Sequence, residues 1–144
     1  PAVPRVIYTD LEMASVGMSY SECVRKYGNH EKGGFVSLFV PEEGSDRADM
    51  DRYERCSSSS AAGGKSIAFV ELRATRIGGK ILGMTACGPA AAELANEIGL
   101  ALHKKATVMD IAKSLHSYPS HGYLLYRTAL AIATSTTWGL LERL

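Results

Sequence analysis

The 144-residue sequence has few of the features that mark membrane, disulfide-rich or metal-binding proteins. No segment reaches the ~18 consecutive apolar residues that a membrane-spanning helix needs. The three cysteines, Cys23, Cys56 and Cys87, are odd in number, widely spaced and form no CxxC motif. This pattern argues against a disulfide framework or a zinc site. We therefore expect reduced thiols, as in an intracellular protein.

The sequence also has no large excess of positive or negative charge and none of the common catalytic motifs. The net charge is +1 at pH 7, so we expect no strong field for nucleic acid or anionic membranes. The sequence contains no GxGxxG, P-loop, HExxH or GxSxG motif. The four histidines show no metal-ligand spacing with the cysteines. We accordingly predict no metal site and no nucleotide site held by this chain alone.

The hydrophobic patterns predict a single α+β domain over residues 1–144. Strands are predicted where β-branched and apolar residues cluster, at Arg5–Thr9, Gly34–Val40, Ser66–Thr75 and Gly79–Cys87. Helices are predicted at Ser19–Tyr27, from Pro89 to Lys105, from Thr107 to about Leu115 and from Pro119 to about Thr134. Because strands mostly precede helices, we expect an antiparallel sheet of about four to five strands with helices packed on one side.

Local signals set several boundaries. Ser19 with Glu22, and Thr107 with Asp110, have the spacing of capping boxes. Gly28 is typical of a helix stop. The last two strands are separated by a short glycine-containing link, which predicts a hairpin.

Other interpretations concern connections and burial. Asp10–Gly17 is interpreted as a turn-like connection, and Gly34–Val40 as a strand buried on both faces. Cys87 lies in an apolar run and is predicted to be buried. Helical periodicity predicts inward positions at Ile111, Ala112, Leu115, Leu124, Leu125, Thr128, Ile132 and Ala133.

The segment 42–64 differs from the rest of the chain. It is charged at first and then low in complexity, with Ser57–Ser60 followed by two alanines and two glycines. Serine and glycine runs cannot offset their ordering entropy by burial. We therefore predict a flexible surface insertion at 53–64.

Three stretches resemble the dimerisation domain of the pyridine nucleotide–disulfide oxidoreductases, the family of dihydrolipoamide dehydrogenase and mercuric reductase. Tyr8–Gly17 (YTDLEMASVG) resembles the family's YTDPEVASVG. Phe69–Gly83 resembles its GFVKL…GKILG hairpin, and Gly88–Leu94 resembles its GxxAGELI helix start. Asp46–Ala48 matches a short RA piece between the strands. The motifs occur in the family's order and cover nearly the whole chain.

The resemblance implies a fragment of a longer flavoenzyme. In such enzymes this domain forms a homodimer and sends a loop to the partner subunit's flavin. The FAD- and NAD(P)-binding domains and the redox cysteine pair lie N-terminal and are absent here. The chain also begins without methionine, so the compartment stays open. We expect the isolated fragment to be inactive, without FAD or NAD(P)H. A stand-alone, non-catalytic dimerisation module is the alternative.

The family's loop HAHPTLSE aligns with His116–Tyr123 (HSYPSHGY). Its acid–base histidine falls on Tyr118 and its partner glutamate on Tyr123. An imidazole titrates near pH ~6.5 and a phenol near ~10, so a tyrosine is a poor base at neutral pH. The resemblance implies that Tyr118 and Pro119 face the partner's flavin. Mercuric reductases likewise have tyrosine at the histidine position.

The other candidates in the loop have competing interpretations. His121 is a second catalytic candidate, because its imidazole lies three residues beyond Tyr118; the competing interpretation is an exposed histidine at a helix start. His116 is interpreted as a helix-end residue favoured by the helix dipole. Tyr118 itself could be a buried aromatic before a proline turn. Tyr123 and Tyr126 are interpreted as packing or interface residues.

Overall fold

The computed structural model describes residues 2–9, 11–29, 33–41, 68–118 and 120–135. Five strands are β1 (Arg5–Ile7), β2 (Met13–Gly17), β3 (Phe35–Pro41), β4 (Phe69–Thr75) and β5 (Ile81–Cys87). Four helices are α1 (Tyr20–Tyr27), α2 (Ala91–His103), α3 (Val108–Lys113) and α4 (Gly122–Ser135). The predicted insertion at 53–64 and the Asp46–Ala48 match lie outside the described residues.

The strands form one antiparallel sheet in the order β1-β2-β5-β4-β3. The predicted hairpin is confirmed as β4 and β5, whose register runs from Phe69 opposite Cys87 to Ala74 opposite Ile81, with a bulge between Arg73 and Ala74. The α+β prediction is therefore confirmed. Within the described residues, no helix is long and apolar enough to cross a bilayer.

Two predictions about the edge of the sheet were wrong. Part of the supposed turn at Asp10–Gly17 is the strand β2, which pairs with both β1 and β5. It was missed because Val16 is its one β-branched residue and only Ala14 and Val16 are buried. The strand β3 was predicted to be buried on both faces, but Phe39 is 53% exposed. It lies on the face of Phe35, whereas Val36, Leu38 and Val40 pack against the core from the other face.

Three helices cover the inner face of the sheet. The core joins inward residues of the strands, such as Val70, Leu72 and Met84, to Leu94 and Ile98 of α2. The predicted inward positions of α4 are confirmed at Leu124, Leu125, Thr128, Ile132 and Ala133. Removing this apolar surface from water stabilises the fold at about 25 cal/mol per Å².

Helix α1 packs against the opposite face at one end of the sheet. Its Cys23 joins Phe35 and Leu82 in a second, smaller apolar cluster. The capping box of α1 is confirmed, since Ser19 accepts from the Glu22 amide and its own amide donates to the Glu22 carboxylate. Gly28 ends the helix in a positive-φ conformation, as predicted.

A buried arginine joins α1 to this face. Arg73 is 1% exposed, and its guanidinium donates to the carbonyl of Met18, the carboxylate of Glu71 and the hydroxyl of Thr85, all at 2.8–2.9 Å. Glu71 also accepts from Ser37 at 2.6 Å. A buried charge needs such partners, so the network ties β3, β4 and β5 to the start of α1.

Helix α2 starts later than predicted. Pro89 does not begin it; Ala90 is the N-cap, with φ 61° and no side-chain cap. A residue from outside the helix takes this role: the carboxylate of Glu12 accepts a hydrogen bond from the amide of Ala92 at 3.1 Å. An acidic group at a helix N-terminus is stabilising, so the connection between β1 and β2 helps to fix α2.

Two predictions about burial were also wrong. Helix α3 ends at Lys113, and Leu115, predicted to point inward, is fully exposed at 101%. Cys87 is only half-buried because it lies at the end of β5 on the outer face, opposite Met13 and Phe69. The capping box between Thr107 and Asp110 is confirmed.

Candidate active-site loop

The candidate residues lie in the connection 114–121 between α3 and α4. Pro119, at the centre of the connection, lies outside the described residues, so its predicted contact with a partner's flavin stays a prediction. Tyr118 is 52% exposed. It is therefore a surface side chain of this chain and not the buried aromatic of the competing interpretation.

His116 anchors the connection to α2. Its Nε2 lies 3.0 Å from the Glu97 carboxylate and its Nδ1 lies 3.1 Å from the carbonyl oxygen of Ser114. Both partners are acceptors, so the ring makes both hydrogen bonds only when both nitrogens carry a proton. The His116 side chain is 10% exposed. His116 therefore tethers the connection to α2. It lies beyond the end of α3 at Lys113, so its interpretation as a helix-end residue was wrong.

The aromatic rings of the region form a continuous row. Tyr118 meets Tyr123 edge to face with centroids 4.8 Å apart. Tyr123 stacks on Tyr126 at 5.5 Å, and Tyr126 contacts the His116 ring at 5.6 Å. We call these four side chains the aromatic row. They link the exposed Tyr118 to the anchored His116, and they confirm packing as a role of Tyr123 and Tyr126.

Ser120 makes the hydrogen bonds at the N-terminus of α4. Its hydroxyl donates to the carbonyl of Ser117 at 2.6 Å and accepts from the amide of Tyr123 at 3.2 Å. The Ser120 side chain therefore caps the start of α4. Gly122 fits closely, because a Cβ there would lie 3.3 Å from Cδ2 of His116. A larger residue would press on the tether.

His121 lies in a different environment from Tyr118. It is half-buried and lines a small cleft with Phe69, Cys87, Pro89 and Leu124, between α4 and the outer end of the β4–β5 hairpin. Tyr118 instead packs on Tyr123.

The described thiols are not activated nucleophiles. Burial raises the pKa of both Cys23 and Cys87 above the ordinary value of 9.0. The reactive form of cysteine is the thiolate, so both stay protonated at neutral pH. Cys56 lies outside the described residues. Within the described part of the chain, no three His, Cys, Asp or Glu side chains are grouped to hold a metal ion.

Comparison with known proteins identifies this arrangement. The family model of the pyridine nucleotide-disulphide oxidoreductase dimerisation domain matches residues 3–125. The chain therefore belongs to this family of oxidoreductases, as a dimerisation domain. The resemblance noted in the sequence is thereby confirmed.

Curated relatives include the dihydrolipoyl dehydrogenases of Halobacterium salinarum and Homo sapiens. They are 31% identical over 119 residues and 30% identical over 118 residues, covering 83% and 82% of this chain. The chain spans 22% and 20% of their lengths. It thus corresponds to about a fifth of these relatives.

Two solved structures share the fold. LpdA of Mycobacterium tuberculosis has a TM-score of 0.67 at 22% identity, and 90% of this chain covers 25% of that chain. The HOCl-induced flavoprotein disulfide reductase RclA of Escherichia coli has a TM-score of 0.68 at 13% identity, and 90% of this chain covers 26% of that chain. Both confirm the architecture.

Sequence reasoning missed Glu97 and the packing role of Gly122. Glu97 lies on α2, 19 residues before its partner His116, and nothing in the local pattern links the two. Gly122 has no side chain that would press on the His116 ring.

Proposed function

We propose that this chain is the interface domain of a homodimeric FAD- and NAD(P)H-dependent oxidoreductase, and that Tyr118 reaches the partner subunit's flavin site. The observation that carries the proposal is the combination of an exposed Tyr118 ring with an anchored loop. A group that acts on a partner must be accessible on its own subunit, yet held in position. The aromatic row and the His116–Glu97 pair meet both requirements.

The chemistry of Tyr118 fits a hydrogen-bond donor. A phenol donates a proton in a hydrogen bond at neutral pH and is a weak base. Tyr123, at the position of the family's glutamate, holds the Tyr118 ring by its edge and carries no negative charge. The pair therefore orients a donor without a base beside it. This favours a small electrophile or metal ion over a disulfide as the acceptor, as in the mercuric reductases.

FAD and NAD(P)H belong to the intact enzyme in this proposal. The sequence has no GxGxxG motif, so other domains of the same polypeptide would hold both cofactors. When bound, they supply transfer of reducing equivalents from nicotinamide to the acceptor. The residues of this chain orient the loop, exclude water with the aromatic row and donate a hydrogen bond from the Tyr118 hydroxyl. His121 is the second candidate for moving a proton.

The test uses the intact enzyme with Tyr118→Phe, which keeps the ring and removes the hydroxyl. Turnover of NAD(P)H with Hg(II), a disulfide or a quinone should fall by about 10²-fold with the preferred acceptor. Tyr8→Phe is the matched control, because Tyr8 is an exposed tyrosine on the β1 side of the sheet. Unchanged turnover in Tyr118→Phe would remove this residue from the mechanism, and His121→Asn then tests the second candidate.

Dimerisation is tested separately on the chain itself. Light scattering at rising protein concentration should move from the 15.5 kDa of one chain towards twice that mass. A mass of one chain throughout would show that this domain alone does not form the proposed homodimer.

A further inference from the structure

A groove of about 600 Å³ lies at the end of the sheet away from the candidate loop. Its walls come from β1, the end of β2, α1, the start of β5 and the C-terminal end of α2. We call it the basic groove. It shares no lining residue with the cleft at His121.

The charged groups around the basic groove are mostly positive. Arg5, Lys26, Lys80 and Lys105 line it, against a single acidic residue, Glu22. Glu22 is already engaged, because its carboxylate accepts from the amide and hydroxyl of Ser19 at 2.7 and 2.8 Å. This local excess contrasts with a net charge of +1 for the whole chain. The exposed residues Lys26, Lys80 and Lys105, which are far apart in the sequence, thus line the same groove.

Apolar side chains also line the basic groove. Val3 is exposed there and Met18 and Leu102 are partly exposed, whereas Ile81 and Leu82 are buried. A site that combines apolar and cationic side chains complements a ligand that has an apolar body and anionic groups.

The backbone at Lys105 adds an independent observation. Helix α2 ends in a Schellman motif, in which the amide of Ala106 donates to the carbonyl of Ala101 at 2.9 Å and that of Lys105 to Leu102 at 3.1 Å. Lys105 has a φ of 56°. This left-handed position favours glycine, so a lysine is held there at a cost in stability. Lys105 lines the groove in this strained conformation, which suggests a function for its charge.

We propose that the basic groove binds a small organic anion with at least two negative charges and an apolar part. The three lysines bind the anionic groups, and Val3, Met18 and Leu102 contact the apolar part. Neither the family match nor the proposed role of the loop assigns a ligand to this place, and the inference is independent of both.

The probe is ADP, which combines a diphosphate with an apolar base. Inorganic pyrophosphate and adenosine each carry one half of that chemistry. Titration at about 0.01 M ionic strength, where charges act over ~30 Å, should give saturable ADP binding with a Kd below about 1 mM. Pyrophosphate should bind more weakly, adenosine should not bind measurably, and added salt should weaken ADP binding. Amide chemical shifts of Gly17, Leu82 and Leu102 should move with ADP.

Lys105→Gly separates binding from folding. It removes one charge from the groove and relieves the left-handed strain, so ADP affinity should fall about threefold, in the range of one exposed ion pair, while the urea midpoint rises. Lys104→Gly is the matched control, because Lys104 is the neighbouring residue, has a φ of −81° and does not line the groove. The urea midpoint of Lys104→Gly should fall, and the affinity of this variant for ADP should stay unchanged. The double variant Lys80→Ala/Lys105→Gly should lose about tenfold in affinity.

Three outcomes would overturn the proposal. The first is the absence of saturable ADP binding at low salt. The second is equal loss of affinity in Lys104→Gly and Lys105→Gly, which would indicate only a general positive field. The third is shift changes confined to residues outside the groove, which would place the ligand elsewhere.

Discussion

Tyr118 and Tyr123 pack edge to face, with ring centroids 4.8 Å apart. Such contacts contribute about 0.5–1.5 kcal/mol beyond burial of area. The contact joins the exposed residue of the loop to the first turn of α4, so it helps to fix the position of Tyr118.

A double-mutant cycle measures this contact. Tyr118→Ala, Tyr123→Ala and the double variant should show a coupling free energy of about 0.5–1 kcal/mol in urea unfolding. A cycle that pairs Tyr118 with Tyr8, at the opposite edge of the sheet, should show no coupling. Equal coupling in the two cycles would contradict the packing described here.

Loss of the carboxylate of Glu97 should loosen the loop. Glu97→Gln removes the carboxylate that lies 3.0 Å from Nε2 of His116, whose side chain is 10% exposed. We expect a loss of about 1 kcal/mol in the free energy of unfolding, and faster amide exchange at residues 114–118. Glu93→Gln, one turn earlier and exposed, is the control. The prediction is wrong if the two variants exchange equally fast at this loop.

Alanine substitutions at two glycines should differ in cost. Gly17 and Gly78 both have positive φ, at 76° and 80°. A Cβ at Gly17 would meet the carbonyl oxygen of Leu82 and lie 2.8 Å from the side chain of Leu102, whereas one at Gly78 would meet nothing within 4 Å. We expect Gly78→Ala to cost about 1 kcal/mol and Gly17→Ala about 2–4 kcal/mol in thermal or urea unfolding. Similar costs would show that only the backbone angle matters.

Acid should weaken the two capping boxes. Hydrogen bonds from the Ser19 backbone and side chain lower the pKa of Glu22 below its ordinary value of 4.5, and those from Thr107 lower the pKa of Asp110 below 3.8. A lowered folded-state pKa adds stability above the unfolded-state pKa, and this is lost as pH falls through the folded-state value. The urea midpoint should therefore drop as pH falls below about 4.5.

The variant Glu22→Gln isolates one part of this effect. Glutamine keeps an acceptor oxygen but does not titrate. The urea midpoint of the Glu22→Gln variant should lie below that of the parent chain at pH 7, and the two midpoints should converge in acid. A difference that stays constant from neutral to acid pH would exclude Glu22 as a source of the pH dependence.

The elements with local signals were predictable from the sequence. The capping residues of α1 and α3, the β4–β5 hairpin and the inward face of α4 all depend on residues close together in the chain. Strand β2 was missed because its stability comes from two neighbouring strands, and Val16 is its one β-branched residue. Leu115 was placed inward because the helical period was extended past the real end of α3 at Lys113.

The candidate loop was located by its resemblance to a family and not by its chemistry. Tyr118 could be selected in advance because a known pattern aligned with it. The tether from Glu97 to His116 could not, because it joins two elements through space and neither residue belongs to a local motif. Likewise, Lys26, Lys80 and Lys105 of the basic groove are far apart in the sequence, and only the fold brings them together.

The strand order has a consequence for how fast the chain reaches its native state. Strand β2 lies between β1 and β5, so Met13 pairs with Cys87 at a large separation in the sequence. The N-terminal hairpin of β1 and β2 can therefore join the sheet only after β5 has been synthesised. Long-range pairings of this kind raise the contact order and slow folding. During synthesis, the edge of β2 that pairs with β5 stays unpaired until β5 has been made.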